Sequence, residues 1–165
     1  VSDHEVTIEN QQKSDDSIEE LGQSLETAYP STGKIWDNSL DKNVIEKVER
    51  STELFISKEI INIDEFILKR NQIHVFRAIQ EGLNNIIKHA EATAARITIV
   101  EKGTELVMKI ADNGKGYDHG SALIKSKSLG LRTMQERISS IGGRIKTDKN
   151  VPSGTILTFT IPKTS

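Results

Sequence analysis

Glu81, Asn85 and Lys88 stand at i, i+4 and i+7 in a stretch whose apolar residues repeat with helical period. A carboxylate, an amide oxygen and an ammonium therefore fall on one stripe, about two turns long. Such a stripe suits an assembly of magnesium and phosphate. Magnesium keeps most of its waters and takes only one or two protein oxygens, with phosphates supplying others. An ordinary solvated helix face also carries Glu and Lys, but Asn84 and Asn85, adjacent in mid-helix, are poor helix formers and need another reason to be there.

Three further features belong with the stripe. Asp112-Asn113-Gly114-Lys115-Gly116 follows a strand pattern directly. Asn-Gly is a common turn pair, yet no close hairpin partner follows. Glycines at i and i+2 let a ligand approach the backbone, and the aspartate beside them can accept a hydrogen bond from an exocyclic amine. Leu129-Gly130-Leu131 opens a helix after a loop carrying Lys125 and Lys127. There, free N–H groups and the positive end of the helix dipole favour phosphate. Gly154-Thr155 begins the last strand. Each of these three has a plain structural reading as a turn, a helix start or a strand start. The four in this order are far more specific than any one.

The elements that must position these residues can be read from periodicity. Helices are predicted over 18–28, ended by Tyr29-Pro30-Ser31-Thr32-Gly33, and over 41–50 with Val44, Ile45 and Val48 inward. Residues 53–57 and 59–64 read as two short strands around a turn. A longer helix fits 72–90, burying Val75, Phe76, Ile79, Leu83, Ile86, Ile87 and Ala90. A hairpin follows over 95–101 and 104–111 around Lys102-Gly103. The glycine-bearing loop is predicted to run to Ser128. The next helix, 129–141, turns Leu131, Met134, Ile138 and Ile141 inward and stops at Gly142-Gly143. Strands over 144–148 and 155–161 close the chain. This order predicts an α+β fold whose sheet is largely antiparallel with helices on one face.

Composition narrows the function. The 165 residues hold no cysteine, so disulfide scaffolds, thiolate metal sites and cysteine nucleophiles are excluded. The net charge is −2, which disfavours a nucleic-acid binder driven by overall charge. That charge is uneven: residues 1–26 carry −7 and the remainder +5, so an acidic leader precedes a body suited to an anionic ligand. There is no G-x-x-x-x-G-K-[ST] loop, no dinucleotide glycine spacing, no second zincin histidine after His4-Glu5 and no G-x-S-x-G elbow.

The run Glu81-Gly-Leu-Asn-Asn85-Ile-Ile-Lys88-His89-Ala90 resembles the N box of the GHKL, or Bergerat-fold, ATPases. Asp112 to Gly116 resembles their G1 box. Gly130-Leu131 with Met134, Glu136 and Arg137 resembles their G2 box, and Gly154-Thr155 their closing strand motif. The resemblance covers residues 31–163. Its finer pattern is similar to sensor histidine kinases of the DesK-like subclass, which pair with NarL-type response regulators. It implies a two-layer α/β sandwich with a mixed, mostly antiparallel sheet, binding ATP with Mg2+. In that likeness Asn85 holds the magnesium, Glu81 positions the metal or polarises the acceptor, and Lys88 and His89 contact phosphate. Asp112 bonds the adenine amine, Gly114 and Gly116 give room, and Thr155 holds a water. Residues 117–130 form a short lid, and Gly130 and Leu131 lay N–H groups near the phosphates.

Two departures stand out. The family's Gly-x-Gly-Leu reads Ser128-Leu129-Gly130-Leu131 here, so a Cβ at Ser128 restricts the lid. No phosphoacceptor histidine in a fitting helical context is found either. Asp3-His4-Glu5 is the sole candidate, and Val6, Thr7 and Ile8 beside it disfavour a helix. Residues 1–30 then read as the remnant of a dimerisation helix and its linker, and 31–163 as the catalytic ATP-binding domain of a longer, homodimeric kinase. The phosphoacceptor domain and a NarL-type regulator are the implied partners, and the cytoplasm the implied compartment. Related alternatives are an anti-sigma serine kinase, an ATPase of the gyrase kind, or a degenerate interaction module.

Overall fold

The computed structural model describes residues 44–116 and 122–164, so the expectations for 1–43 lie outside the described residues. Five strands form one sheet: β1 (Phe55–Ile60), β2 (Ala94–Lys102), β3 (Glu105–Asp112), β4 (Arg144–Lys149) and β5 (Thr155–Pro162), in the spatial order β1-β2-β3-β5-β4. The β2–β3, β3–β5 and β4–β5 pairs are antiparallel and β1–β2 is parallel, so the sheet is mixed and mostly antiparallel.

Alternation decides which face is buried. Ile97 and Ile99 of β2, Leu106, Met108 and Ile110 of β3, and Leu157, Phe159 and Ile161 of β5 are all buried, while their neighbours along each strand are partly or fully exposed. Helix α1 (Glu46–Ser51), α2 (Gln72–Asn85) and α3 (Ala122–Ser139) supply the other layer. Val44, Ile45 and Val48 are buried at the start of the described chain, as their spacing predicts. From α2 come Val75, Phe76, Ile79 and Leu83, and from α3 Met134 and Ile138, joined after its end by Ile141. Each fully buried side chain of this size contributes about 1.5–3 kcal/mol.

The opposite face of the sheet carries ion pairs: Arg96 with Glu59 at 3.4 Å, Arg144 with Glu105 at 3.1 Å and Lys146 with Asp148 at 3.6 Å. Pairs this exposed add little stability, about 0–1 kcal/mol each.

Three expectations need correction. Residues 53–64 do not form two strands around a turn. Ser57-Lys58 holds no Gly, Pro, Asn or Asp, and residues 55–60 run straight as β1, paired in parallel with β2 from Phe55↔Ala94 to Ile60↔Ile99. Parallel pairing requires a crossover, and α2 provides it. Helix 72–90 is not α-helical throughout: it widens into a π-helical stretch, Ile86–Ala90, and ends at Glu91 with φ 51°. The next helix begins at Ala122 rather than Leu129. Ala122, Leu123, Ile124 and Lys125 are good helix formers, and no Gly or Pro interrupts the run before Gly130. That helix ends as the sequence implies. Gly142 has φ 80°, and Gly143 N–H donates to the Ile138 carbonyl at 2.9 Å.

Candidate nucleotide site

One end of the sandwich gathers residues from α2, the π-helical turn, β3 and β5. Gly82, Asn85, Ile86, Ala90, Ile110, Asp112, Thr155 and Leu157 line a small cleft open to solvent. Apolar walls with two or three polar groups suit a flat heteroaromatic ring. Helix and sheet close on each other at Gly82, where a Cβ would stand 2.6 Å from Ile110 Cδ1.

Asp112 closes β3 and is buried together with Thr155. Its Oδ1 accepts the Gly114 N–H at 2.8 Å. The loop after it is tied down on both sides. Asn113 Oδ1 accepts the N–H groups of Thr93 and Ala94, each at 2.9 Å, and its Nδ2 donates to Thr93 Oγ1 at 2.9 Å. Lys115 N–H donates to the Ala90 carbonyl at 2.8 Å. A Cβ on Gly114 would stand 2.1 Å from that same oxygen, so only glycine lets the loop lie against the π-helical turn. Gly116, with φ 74°, passes over the Gly154 carbonyl.

Beside the cleft, α2 and α3 touch through the two motifs that the sequence places far apart. A Cβ on Gly130 would stand 2.3 Å from Glu81 Oε1 and 3.5 Å from Asn85 Oδ1. Asn85 Nδ2 is buried and has no hydrogen-bond partner. The amide nitrogen calls for an acceptor, and the oxygen of the same side chain stands beside Glu81 Oε1 at Gly130. These two oxygens would fit a magnesium ion, which asks the protein for few oxygens. Among the described residues, no three His, Cys, Asp or Glu side chains converge to form a metal cage of their own.

The remaining candidates lie elsewhere. Lys88 is exposed and His89 half-buried on the π-helical turn, whose wider winding moves them off the α-helical stripe. Leu131 packs against the hydrophobic core. Gly130 and Leu131 lie inside α3, where intrahelical bonds occupy backbone N–H groups, and not at a helix start. Sequence reasoning did not single out Asn113 as an anchor, nor Asn150, whose Nδ2 donates to the Asp112 carbonyl at 2.8 Å. Both look like ordinary turn asparagines until the fold brings their partners near.

Comparison with known proteins decides the family. Residues 70–165 match the model of the histidine kinase-, DNA gyrase B- and HSP90-like ATPases. The chain belongs to this family. Among curated relatives of this ATPase domain, the histidine-protein kinase/phosphatase DegS of Brevibacillus brevis is 32% identical over 124 residues, covering 75% of this chain and 32% of DegS. The sensor histidine kinase LiaS of Bacillus subtilis is 34% identical over 122 residues, covering 69% of this chain and 33% of LiaS. The chain thus spans about a third of the length of these relatives. Among solved structures, the Acinetobacter baumannii histidine kinase AdeS superposes with a TM-score of 0.62 at 17% identity, covering 90% of this chain and 76% of that one. The ATP-binding domain of PrrB from Mycobacterium tuberculosis gives 0.58 at 22% identity, covering 76% of this chain and 92% of that one. At these identities the likeness speaks for the fold, an α+β sandwich shared with histidine kinase catalytic domains.

Proposed function

We propose that this ATPase domain is the catalytic part of a sensor histidine kinase and binds Mg-ATP in the cleft between α2 and β3–β5. The observation that carries the reading is the convergence of Asp112, Thr155 and Asn85 on one apolar cleft, with Glu81 and Gly130 at its side. Asp112 accepts the adenine amine, and the ring packs against the apolar wall that Ile86, Ile110 and Leu157 supply. The buried amide of Asn85, helped by Glu81, would hold magnesium, which supplies neutralisation of the phosphate charge. Lys88 and His89, about one turn beyond Asn85 on the π-helical stretch, would meet phosphate oxygens.

The reaction is transfer of the γ-phosphoryl group to a histidine of a dimerisation domain, with relay to an aspartate of a NarL-type regulator. Such transfer relies on positioning and charge neutralisation more than on covalent chemistry by the domain. The relatives' names support the kinase assignment, and the parent is read as a homodimer with this domain on the cytoplasmic side. Among the described residues no helix is long and apolar enough to cross a membrane.

The test supplies labelled ATP to the chain together with a separately produced dimerisation domain. Label on histidine is the expected result. Label on serine would replace this reading by an anti-sigma kinase, and free phosphate alone by an ATPase.

A further inference from the structure

We propose that Asn150 is a positioning residue for Asp112, so that discrimination for the adenine amine depends on a side chain outside every nucleotide-binding motif. The inference rests on the reading of the cleft as an ATP site.

Asn150 uses both ends of its amide. Nδ2 donates to the Asp112 carbonyl at 2.8 Å, and Oδ1 accepts the Val151 N–H at 2.9 Å. Its backbone N–H donates to the Gly154 carbonyl at 3.0 Å, closing the β4–β5 loop on itself. The β3–β5 ladder explains why a side chain is needed. Its register ends at Ala111↔Ile156, one residue short of Asp112. Gly154, with φ 109°, there turns the chain away, and a Cβ on it would stand 1.9 Å from the Asp112 oxygen. The Asn150 amide supplies a donor where the ladder runs out. Ser153 Oγ adds a second tie, donating to the Asn113 carbonyl at 3.2 Å. The backbone of Asp112 and the strand start that presents Thr155 are thereby fixed relative to each other.

A carboxylate-to-amine hydrogen bond is directional, whereas the apolar walls tolerate small shifts. Loss of the Asn150 donor therefore removes the amine's contribution before it removes the shape of the pocket.

The experiment measures dissociation constants, with magnesium, for ATP and for purine riboside triphosphate, which lacks the 6-amino group. It compares the unaltered chain with Asn150→Asp and Asn150→Ala. Aspartate keeps an acceptor for the Val151 N–H but sets a carboxylate against the Asp112 carbonyl. Alanine removes both bonds, and melting curves check that each variant folds. The unaltered chain should favour ATP by about tenfold or more, the worth of one hydrogen bond to a charged group. In the folded variants that preference should collapse to about twofold or less, with affinity for the amine-free analogue close to that of the unaltered chain. Variants that keep the full preference, or lose both nucleotides equally, would overturn the inference and leave the ATP site standing. Failure of both variants to fold would make Asn150 a structural residue and overturn it too. An unaltered chain that shows no preference, or no binding, would remove the ATP reading itself and this inference with it.

Discussion

Asp112→Asn keeps the shape of the side chain and exchanges one acceptor oxygen for a donor amide. An amine that needs a carboxylate then meets the wrong group. ATP affinity should fall about 10–100-fold by calorimetric titration, the loss expected for a hydrogen bond to a charged partner. Unchanged affinity would mean that the amine points elsewhere. Gly114→Ala acts on the same loop by a different route. With the Ala90 oxygen 2.1 Å from the new Cβ, the backbone must move. The change should cost about 1–3 kcal/mol and weaken nucleotide binding as well. Gly103→Ala, in the β2–β3 turn with φ 62° and nothing within 4 Å of the added Cβ, makes a control. It should cost about 1 kcal/mol and leave nucleotide affinity unaltered. Asp112 and Asn85 stood out by residue type and spacing, and Thr155 through the family resemblance; the cleft brings the three together. The anchoring roles of Asn113 and Asn150 were not legible, because the backbone groups they hold, at Thr93, Ala94 and Asp112, are distant in sequence.

The α2–α3 seam is where elements rather than single groups set behaviour. Leu83 is fully buried on α2, so Leu83→Ala should lower stability by about 2–5 kcal/mol in chemical denaturation. His74 sits on the same helix, its Nδ1 buried and without a partner. Burial, and then the positive charge of Arg137, hold its imidazole below the usual range. The folded state therefore favours the neutral ring. The unfolded chain takes up its proton first as pH falls past about 6.5, so stability is intact above that value and drains as pH drops through the lowered pKa. His74→Gln should flatten the loss of stability as pH falls below about 6.5. An unchanged pH profile would assign the titration to another group. The strong apolar period of α2 made this helix legible, and the alternation of β2, β3 and β5 made the hairpin and the last strand legible. The π-helical end was hidden because Ile86, Ile87 and Ala90 fit an α-helical period as well. Strand β1 was misread because parallel pairing with β2 leaves no local turn signal, and the start of α3 because a glycine-bearing loop hides where a run of helix formers begins.

At the scale of the whole molecule, one end of the sandwich holds what the sequence spreads from Glu81 to Thr155. With Asp112 on β3, Asn85 on α2 and Gly130 on α3, nucleotide binding as proposed would be a property of the assembled layers. Mg-ATP should therefore raise the melting temperature, because ligand that binds only the folded state stabilises it by mass action, about 2.7 kcal/mol at a hundred times the dissociation constant. A nucleotide without effect on melting would contradict a cleft shared between layers. The order of the elements and the antiparallel majority of the sheet were legible because helical and strand periods alternate cleanly along residues 72–161. The closeness of Gly130 to Glu81 and Asn85 was not, since it depends on how α3 crosses α2. The most direct measurement is a calorimetric titration of the intact chain with ATP, with and without magnesium. Saturable one-to-one binding that magnesium strengthens is the predicted result, and an absence of nucleotide binding in the folded chain would contradict the account.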